Sequence, residues 1–188
     1  MRVYVIRHGQ SEYNVAKRWS GWADIHLTER GRADAAGAGR LLEGIRFDKI
    51  YASDLSRAQE TAQIALPGCE FETSPLLREI NVGTMTGRPW SDLSDAQRAE
   101  IVTAGYVAFA GESQREFYDR VLQFRQQLEG LDCENVAVFA HAGWLVGMLN
   151  TVMELLIPRK HLDYGNCTIG VFDYVGGVWK LHSWISPS

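Results

Sequence analysis

Apolar and polar residues along this 188-residue chain follow two alternating rhythms. The run Val3-Tyr4-Val5-Ile6 predicts a buried strand over residues 2–6. From Thr28 to about Glu43 the period becomes helical, with Ala33, Ala36, Gly37, Arg40 and Leu41 in register. Their small size suits close packing on a sheet. Lys49–Ala52 reads as a second strand, and Leu55–Leu66 as a helix stopped by Pro67-Gly68. Cys69–Thr73 is a third, shorter strand. Ser94–Thr103 is a helix whose Ser94 and Gln97 fit a capping box. Ser113 and Glu116 fit another, opening a helix to Leu128 with Phe117, Val121, Phe124 and Leu128 on one face. Val136–Ala140 is apolar throughout, as in a parallel strand covered on both sides. A helix over Trp144–Leu156 follows. Thr168–Val175 and Val178–Ile185 flank Gly176-Gly177, a hairpin signal. This alternation predicts an α/β fold: a three-layer α/β/α sandwich, its central sheet mostly parallel, with a terminal antiparallel hairpin. Residues 80–112, carrying Gly83, Gly87, Pro89, Gly105 and Gly111, break the rhythm. They read as a small cap insertion in a single domain spanning 1–188.

Composition narrows the function classes. Apolar residues make up 46% and charged residues 22%, as in a globular protein, and a net charge of −4 argues against nucleic acid as partner. The cysteines Cys69, Cys133 and Cys167 form no CxxC pair, which points to reduced thiols and a cytoplasmic protein. Arg7-His8 interrupts the first apolar run, so no signal peptide is read there. The most apolar stretch, Val136–Pro158, contains His141, Asn150 and Glu154, and reads as a strand and packed helix rather than a membrane span. A homodimer is left open.

The candidate chemistry sits at strand ends. Arg7-His8-Gly9 closes the first strand, and the C-terminal tips of strands in open α/β sheets are where ligands bind. Gly9 permits a tight turn, and Ser11 can cap a short helix with Glu12 in its first turn. Ser53-Asp54-Leu55-Ser56-Arg57 follows the second strand and places Arg57 at a helix start. His141-Ala142-Gly143 follows the Val136–Ala140 strand. A lone histidine at a strand end is more often structural than catalytic. Two arginines and two histidines after predicted strands are another matter, because guanidinium forks and helix N-termini suit a tetrahedral oxyanion. No HxH or HxxxH spacing supports a metal, and Arg7 would repel one, so no metal and no cofactor are expected.

With these residues in place, the chain resembles the histidine phosphatase superfamily, its phosphoglycerate-mutase-like branch. The likeness runs from Arg7-His8-Gly9-Gln10-Ser11-Glu12-Tyr13-Asn14 through Ser20-Gly21-Trp22-Ala23-Asp24 and Leu27-Thr28-Gly31. It continues in Ser53–Thr61, Leu77-Arg78-Glu79, Gly83, Gly87 and Gly111-Glu112-Ser113, and ends at His141-Ala142-Gly143. Thr86 stands where many members carry Glu. The resemblance implies that His8 is the nucleophile that becomes phosphohistidine. It implies that Arg7, Arg57 and His141 hold the phosphoryl oxygens, that Asn14 is a polar contact to phosphate, and that Glu79 is the proton donor. Ser20, Gly21 and Ala142 join them as implied substrate contacts.

The superfamily includes mutases and phosphatases. The segment between Glu79 and His141 is shorter than the mutases typically carry, which favours water as acceptor. Over residues 80–118, Arg88, Arg98 and Arg115 are outweighed by Asp92, Asp95, Glu100, Glu112 and Glu116, a poor setting for a second phosphate. Trp90, Tyr106 and Phe109 could meet a ring-bearing leaving group or simply pack. The expectation is a metal-independent phosphomonoesterase acting on a small phosphorylated metabolite: a sugar phosphate, a phosphoglycerate-like acid or an α-ribazole-phosphate-like ester. The alternatives are a cofactor-dependent phosphoglycerate mutase and a non-catalytic phosphate-binding module.

Overall fold

Three neighbouring strand tips determine where the site lies. The computed structural model describes residues 1–157 and 161–186, so Pro158, at the end of the apolar stretch, lies outside the described residues. The strands are β1 (Arg2–Arg7), β2 (Lys49–Ser53), β3 (Glu72–Ser74), β4 (Asn135–Ala140), β5 (Ile169–Val175) and β6 (Val178–Ile185). They form one sheet in the order β3-β2-β4-β1-β5-β6. The first four are parallel; β5 runs antiparallel to β1, and β6 antiparallel to β5. The helices are α1 (Glu12–Val15), α2 (Glu29–Leu41), α3 (Ser56–Ala65), α4 (Asp95–Ala104), α5 (Gln114–Glu129) and α6 (Ala142–Met153).

The period-2 alternation of the strands builds two cores. Val3, Val5, Val136, Val138 and Ala140 face α5 and α6, meeting Val121, Phe124, Trp144, Leu145 and Met148. Ile6, Ala137 and Phe139 face the other way, onto Ala35 and Ala38 of α2 and Ala62 and Ala65 of α3. Residues 136–140 are wholly buried because β4 is central and covered on both faces. On α5, Phe117, Val121, Phe124 and Leu128 form the buried stripe that the helical period predicts. Their burial is worth at most roughly 6–12 kcal/mol together. Both predicted capping boxes form, Ser94 with Gln97 and Ser113 with Glu116.

Some boundaries move, for local reasons. The third strand is Glu72–Ser74 rather than Cys69–Thr73, because the Cys69 amide still bonds Leu66 O in the turn leaving α3. Phe71 packs into the α2/α3 core instead of joining the ladder. The last helix begins at Ala142, two residues before the sequence predicts, with His141 in extended conformation as its N-cap. It stops at Met153 because Glu154 turns left-handed, with φ 54°. Among the described residues no helix is long and apolar enough to cross a membrane.

One close approach locks the loop after β1. A Cβ on Gly31, in the first turn of α2, would lie 2.0 Å from Gln10 O, and one on Gly9 would lie 2.3 Å from Gly31 O. Gly31→Ala is therefore expected to destabilise the fold by about 2 kcal/mol. Overpacking costs about 1–3 kcal/mol, and here it strikes backbone, which outweighs the roughly 1 kcal/mol of helix propensity that Ala adds. Urea unfolding checks this; an unchanged or raised midpoint contradicts it.

Candidate active site

The sheet order brings together what the sequence scatters. Arg7 of β1 pairs with Ala140 of β4, so the residues that follow, His8 and His141, leave adjacent strands side by side. Their rings meet edge to face, centroids 5.2 Å apart. On the other flank of β4, β2 delivers Arg57 to the first turn of α3. His8, Arg57 and His141 are all buried. Thr61 ties the loops together: its hydroxyl donates to Arg57 O at 2.7 Å and accepts from the Gly9 amide at 3.0 Å.

The hydrogen bonds define the histidine tautomer. His8 Nδ1 lies 2.7 Å from Gly9 O, a pure acceptor, so Nδ1 carries the proton. Nε2 is left with its lone pair, turned toward Arg57, whose Nε–H donates to it at 3.3 Å. Burial, then the Arg57 and Arg7 cations, push the His8 pKa well below its ordinary range. His141 is pushed down likewise, by burial, Arg57 and His8. Both rings are therefore neutral near pH 7. Among the described residues neither ring nitrogen of His141 has a hydrogen-bond partner. A buried polar atom left so costs about 1–3 kcal/mol, so this ring is suited to meet a ligand. Burial lowers the Arg57 pKa to about 10, so it stays a cation at neutral pH. It donates from Nη1 to Ala23 O at 2.8 Å and from Nη2 to Gly21 O at 2.9 Å.

These depressed values predict a pH response. The neutral rings are favoured only in the fold, so their stabilisation is complete above the unfolded value of about 6.5. It is lost as pH falls from there toward the folded values. Each histidine contributes a slope of about 1.4 kcal/mol per pH unit in that window. The exposed His26–Glu60 pair works in the opposite sense, since its hydrogen bond raises the His26 pKa. Chemical denaturation between pH 7 and 5 should show a steep loss of stability, shallower in His141→Asn. A flat profile would show that these rings are not buried neutral.

The remaining candidates take definite places. Arg7 donates from Nη1 to Tyr164 O. Glu79 reaches the N-terminus of α6, where its Oε2 accepts from the Gly143 amide at 3.0 Å and its Oε1 from the Ile80 amide at 2.9 Å. Each carboxylate oxygen keeps a second lone pair. Ala142 is the first residue of α6, where no intrahelical carbonyl reaches the amide. Ser20 and Gly21 lie in the loop that Arg57 holds through Gly21 O. Asn14 is partly committed elsewhere: its Oδ1 accepts from Ser11 N, Ser11 Oγ and Asn166 Nδ2. Any contact from Asn14 to a phosphate oxygen therefore falls to its amide nitrogen. Among the described residues no group of three or more His, Cys, Asp or Glu side chains could hold a metal ion.

The roles of three supporting residues escape a reading of the sequence. Asn166 donates to His8 O at 3.0 Å across the β1–β5 pairing. Asp24 caps α3 from outside, accepting from Ser56 N at 2.8 Å and Ser56 Oγ at 3.0 Å; the first of these bonds holds its carboxyl below the usual range. Leu55, the N-cap position itself, has no side chain for that role. Arg120 grips the segment that carries Glu79. None of the three has a local signal, because each acts on a partner far along the chain. In the 80–112 segment, Tyr106 is buried edge-on against Trp19, Phe109 packs on the α5/α6 core, and Trp90 tilts over Trp19 while staying 39% exposed.

Comparison with known proteins finds relatives in both sequence and fold. A chain described as "Probable phosphoglycerate mutase GpmB" from Photorhabdus laumondii is 30% identical over 199 residues, covering 98% of this chain and 90% of that one. The crystal structure of a phosphoserine phosphatase from Entamoeba histolytica, in complex with 3-phosphoglyceric acid, superposes with a TM-score of 0.85 at 27% identity. It covers 99% of this chain and 97% of that one. A phosphoglycerate mutase from Thermus thermophilus gives a TM-score of 0.75 at 26% identity, over the whole of both chains. The model of one family matches residues 3–187, and by that measure the chain belongs to the histidine phosphatase superfamily, branch 1.

Proposed function

We propose that this protein is a phosphomonoester hydrolase that works through a phosphohistidine at His8 on a small phosphorylated metabolite. The observation that carries this reading is the His8 tautomer, with its Nε2 lone pair held beside the Arg57 cation and a His141 ring that has no hydrogen-bond partner among the described residues. Nε2 attacks phosphorus, the P–O bond to the leaving group breaks, and Glu79 gives that oxygen a proton. Arg7, Arg57, His141 and the Asn14 amide hold the three equatorial oxygens, where the charge develops. Water then attacks the phosphohistidine, Glu79 takes its proton, and the P–N bond breaks to return neutral His8. Ser20, Gly21 and the Ala142 amide would contact the substrate beside them.

We further propose that residues 80–112 cap the site. The Trp19 amide donates to Arg88 O at 2.9 Å, Gly87 N to Trp19 O at 2.8 Å and Trp90 N to Lys17 O at 2.8 Å, lacing this segment to the loop that Arg57 holds. Its chemistry favours water as acceptor. The four arginines between residues 80 and 120 have internal partners: Arg88 pairs with Asp92, Arg98 donates to Trp90 O, Arg115 lies near Asp119 and Arg120 pairs with Glu112. A mutase must retain a second phosphate, and the carboxylates beside Arg88, Arg115 and Arg120 offset the charge that would attract it.

The mutase reading stays alive through relatives that carry that name. Incubation with 3-phosphoglycerate and with p-nitrophenyl phosphate separates the readings. Release of inorganic phosphate from both is expected. Accumulation of 2-phosphoglycerate would replace hydrolase with mutase. No turnover of either ester or of a phosphorylated-metabolite panel, with phosphate still bound, would mean a binding module.

A further inference from the structure

We infer that Arg120, through its fork with Glu112, is the positioning residue that aims the Glu79 carboxyl at the leaving group. The inference rests on the reading of Glu79 as the proton donor. Arg120 lies on α5, and its guanidinium is spent on one job. Its Nε donates to Glu112 Oε1 at 3.0 Å and its Nη2 to Glu112 Oε2 at 2.9 Å, a bidentate pair. Its remaining donors go to three backbone carbonyls of the segment that carries Glu79. Nη1 reaches Leu76 O at 2.8 Å and Arg78 O at 2.7 Å, and Nη2 reaches Glu79 O at 3.2 Å. Glu112 completes the grip by accepting from the Asn81 amide at 3.1 Å, while its own amide donates to Asn81 O at 2.9 Å. The pair therefore fixes the main chain on both sides of Glu79.

A second donor acts on the same carbonyl from across the site. Trp22 Nε1 donates to Glu79 O at 2.7 Å, from the loop that Arg57 holds through Gly21 and Ala23. Glu79 is thus tied to the phosphate side by Trp22 and to α5 by Arg120. The two side chains of the pair are 12% and 11% exposed. A pair so buried gains little net stability over apolar packing, because desolvation offsets its attraction. What it supplies is geometry. A planar guanidinium presents five donors in a fixed fork, whereas an ammonium has three and no plane. Lysine could keep the charge at this position but not the set of bonds.

The test uses Arg120→Lys on the full chain. On an alkyl phosphate, whose leaving oxygen needs a proton, kcat/KM is expected to fall about tenfold or more, the order expected when a catalytic group is misplaced by a fraction of an ångström. On p-nitrophenyl phosphate the fall should stay under about threefold, since that group leaves unprotonated. The Kd for inorganic phosphate should hold, because Arg120 contacts none of Arg7, His8, Arg57 or His141 in the hydrogen-bond network described. Combining Arg120→Lys with Glu79→Gln should cost no more on the alkyl ester than Glu79→Gln alone. Equal losses on both esters, a weakened phosphate Kd, or losses that multiply in the double variant would each overturn the inference. Glu112→Gln, nearly isosteric, should repeat the pattern in smaller measure, and keeps the test open should Arg120→Lys fold poorly. Glu79→Gln by itself tests the underlying reading. If it discriminates between the esters and neither Arg120→Lys nor Glu112→Gln does, only the positioning role falls. If it does not discriminate, the acid assignment falls and the positioning role with it.

Discussion

His8→Ala should lose at least about 10⁴-fold in kcat while still binding inorganic phosphate, because loss of a nucleophile removes the reaction path rather than a contact. The other side chains proposed to hold the phosphate oxygens keep their supports in the variant. Arg57 remains held by Ala23 O and Gly21 O, Arg7 by Tyr164 O, and His141 by the start of α6. Arg57 gives up only its 3.3 Å contact to Nε2. The fold should therefore survive, and the acid-side loss of stability should shrink, because one of the two buried neutral rings is gone. Isothermal titration with phosphate measures the retained binding, and acid-labile ³²P labelling should mark the parent protein and not the variant. A His8→Ala protein with more than a trace of turnover would remove the phosphohistidine from the mechanism.

The parts of this site that a sequence reveals are those made by neighbours along the chain. His8 and His141 are legible because each ends a run of apolar residues, Val3–Ile6 and Val136–Ala140, that nothing but a buried strand explains. Arg57 is legible because a helix must begin after Ser53. Local pattern alone does not fix their meeting, which the family resemblance implies and which depends on β4, late in the chain, inserting between β1 and β2. The same holds for the supports. Asn166 lies 158 positions from the His8 carbonyl that it bonds, and Arg120 lies 41 positions from Glu79. Periodicity places Arg120 at the edge of the apolar stripe of α5, one turn from Phe117 and Phe124, where a charge that snorkels to solvent is the default expectation. Only the tertiary fold shows that this side faces the 76–81 segment. Asn14 shows the reverse case: its place in the motif is plain, yet the structure commits its amide oxygen to capping α1 and to Asn166.

Glu79→Gln should split the reaction according to its leaving group. Glutamine keeps the length of the side chain but cannot give up a proton as a carboxylic acid does. General acid assistance is worth about 10²–10⁴-fold where the leaving oxygen is basic, so kcat/KM on an alkyl phosphate should fall by about 10²-fold or more. On p-nitrophenyl phosphate the same parameter should fall by less than about tenfold, because p-nitrophenolate departs unaided. The second half-reaction suffers equally for both esters, since water then lacks its base. The variant should therefore release a burst of p-nitrophenolate followed by slow turnover, with phosphohistidine accumulating. The structural cost is modest. Glu79 accepts from the Gly143 and Ile80 amides, and a glutamine can accept only at its carbonyl oxygen, so one of these bonds is lost at about 1 kcal/mol. The favourable charge at the α6 N-terminus goes too, at about 0.3–1 kcal/mol. Neither loss approaches the expected effect on rate. Equal losses in kcat/KM on both esters would make Glu79 a helix cap rather than an acid, and would turn the search toward Glu12, exposed in the first turn of α1, or Glu112, whose two oxygens are bound by Arg120.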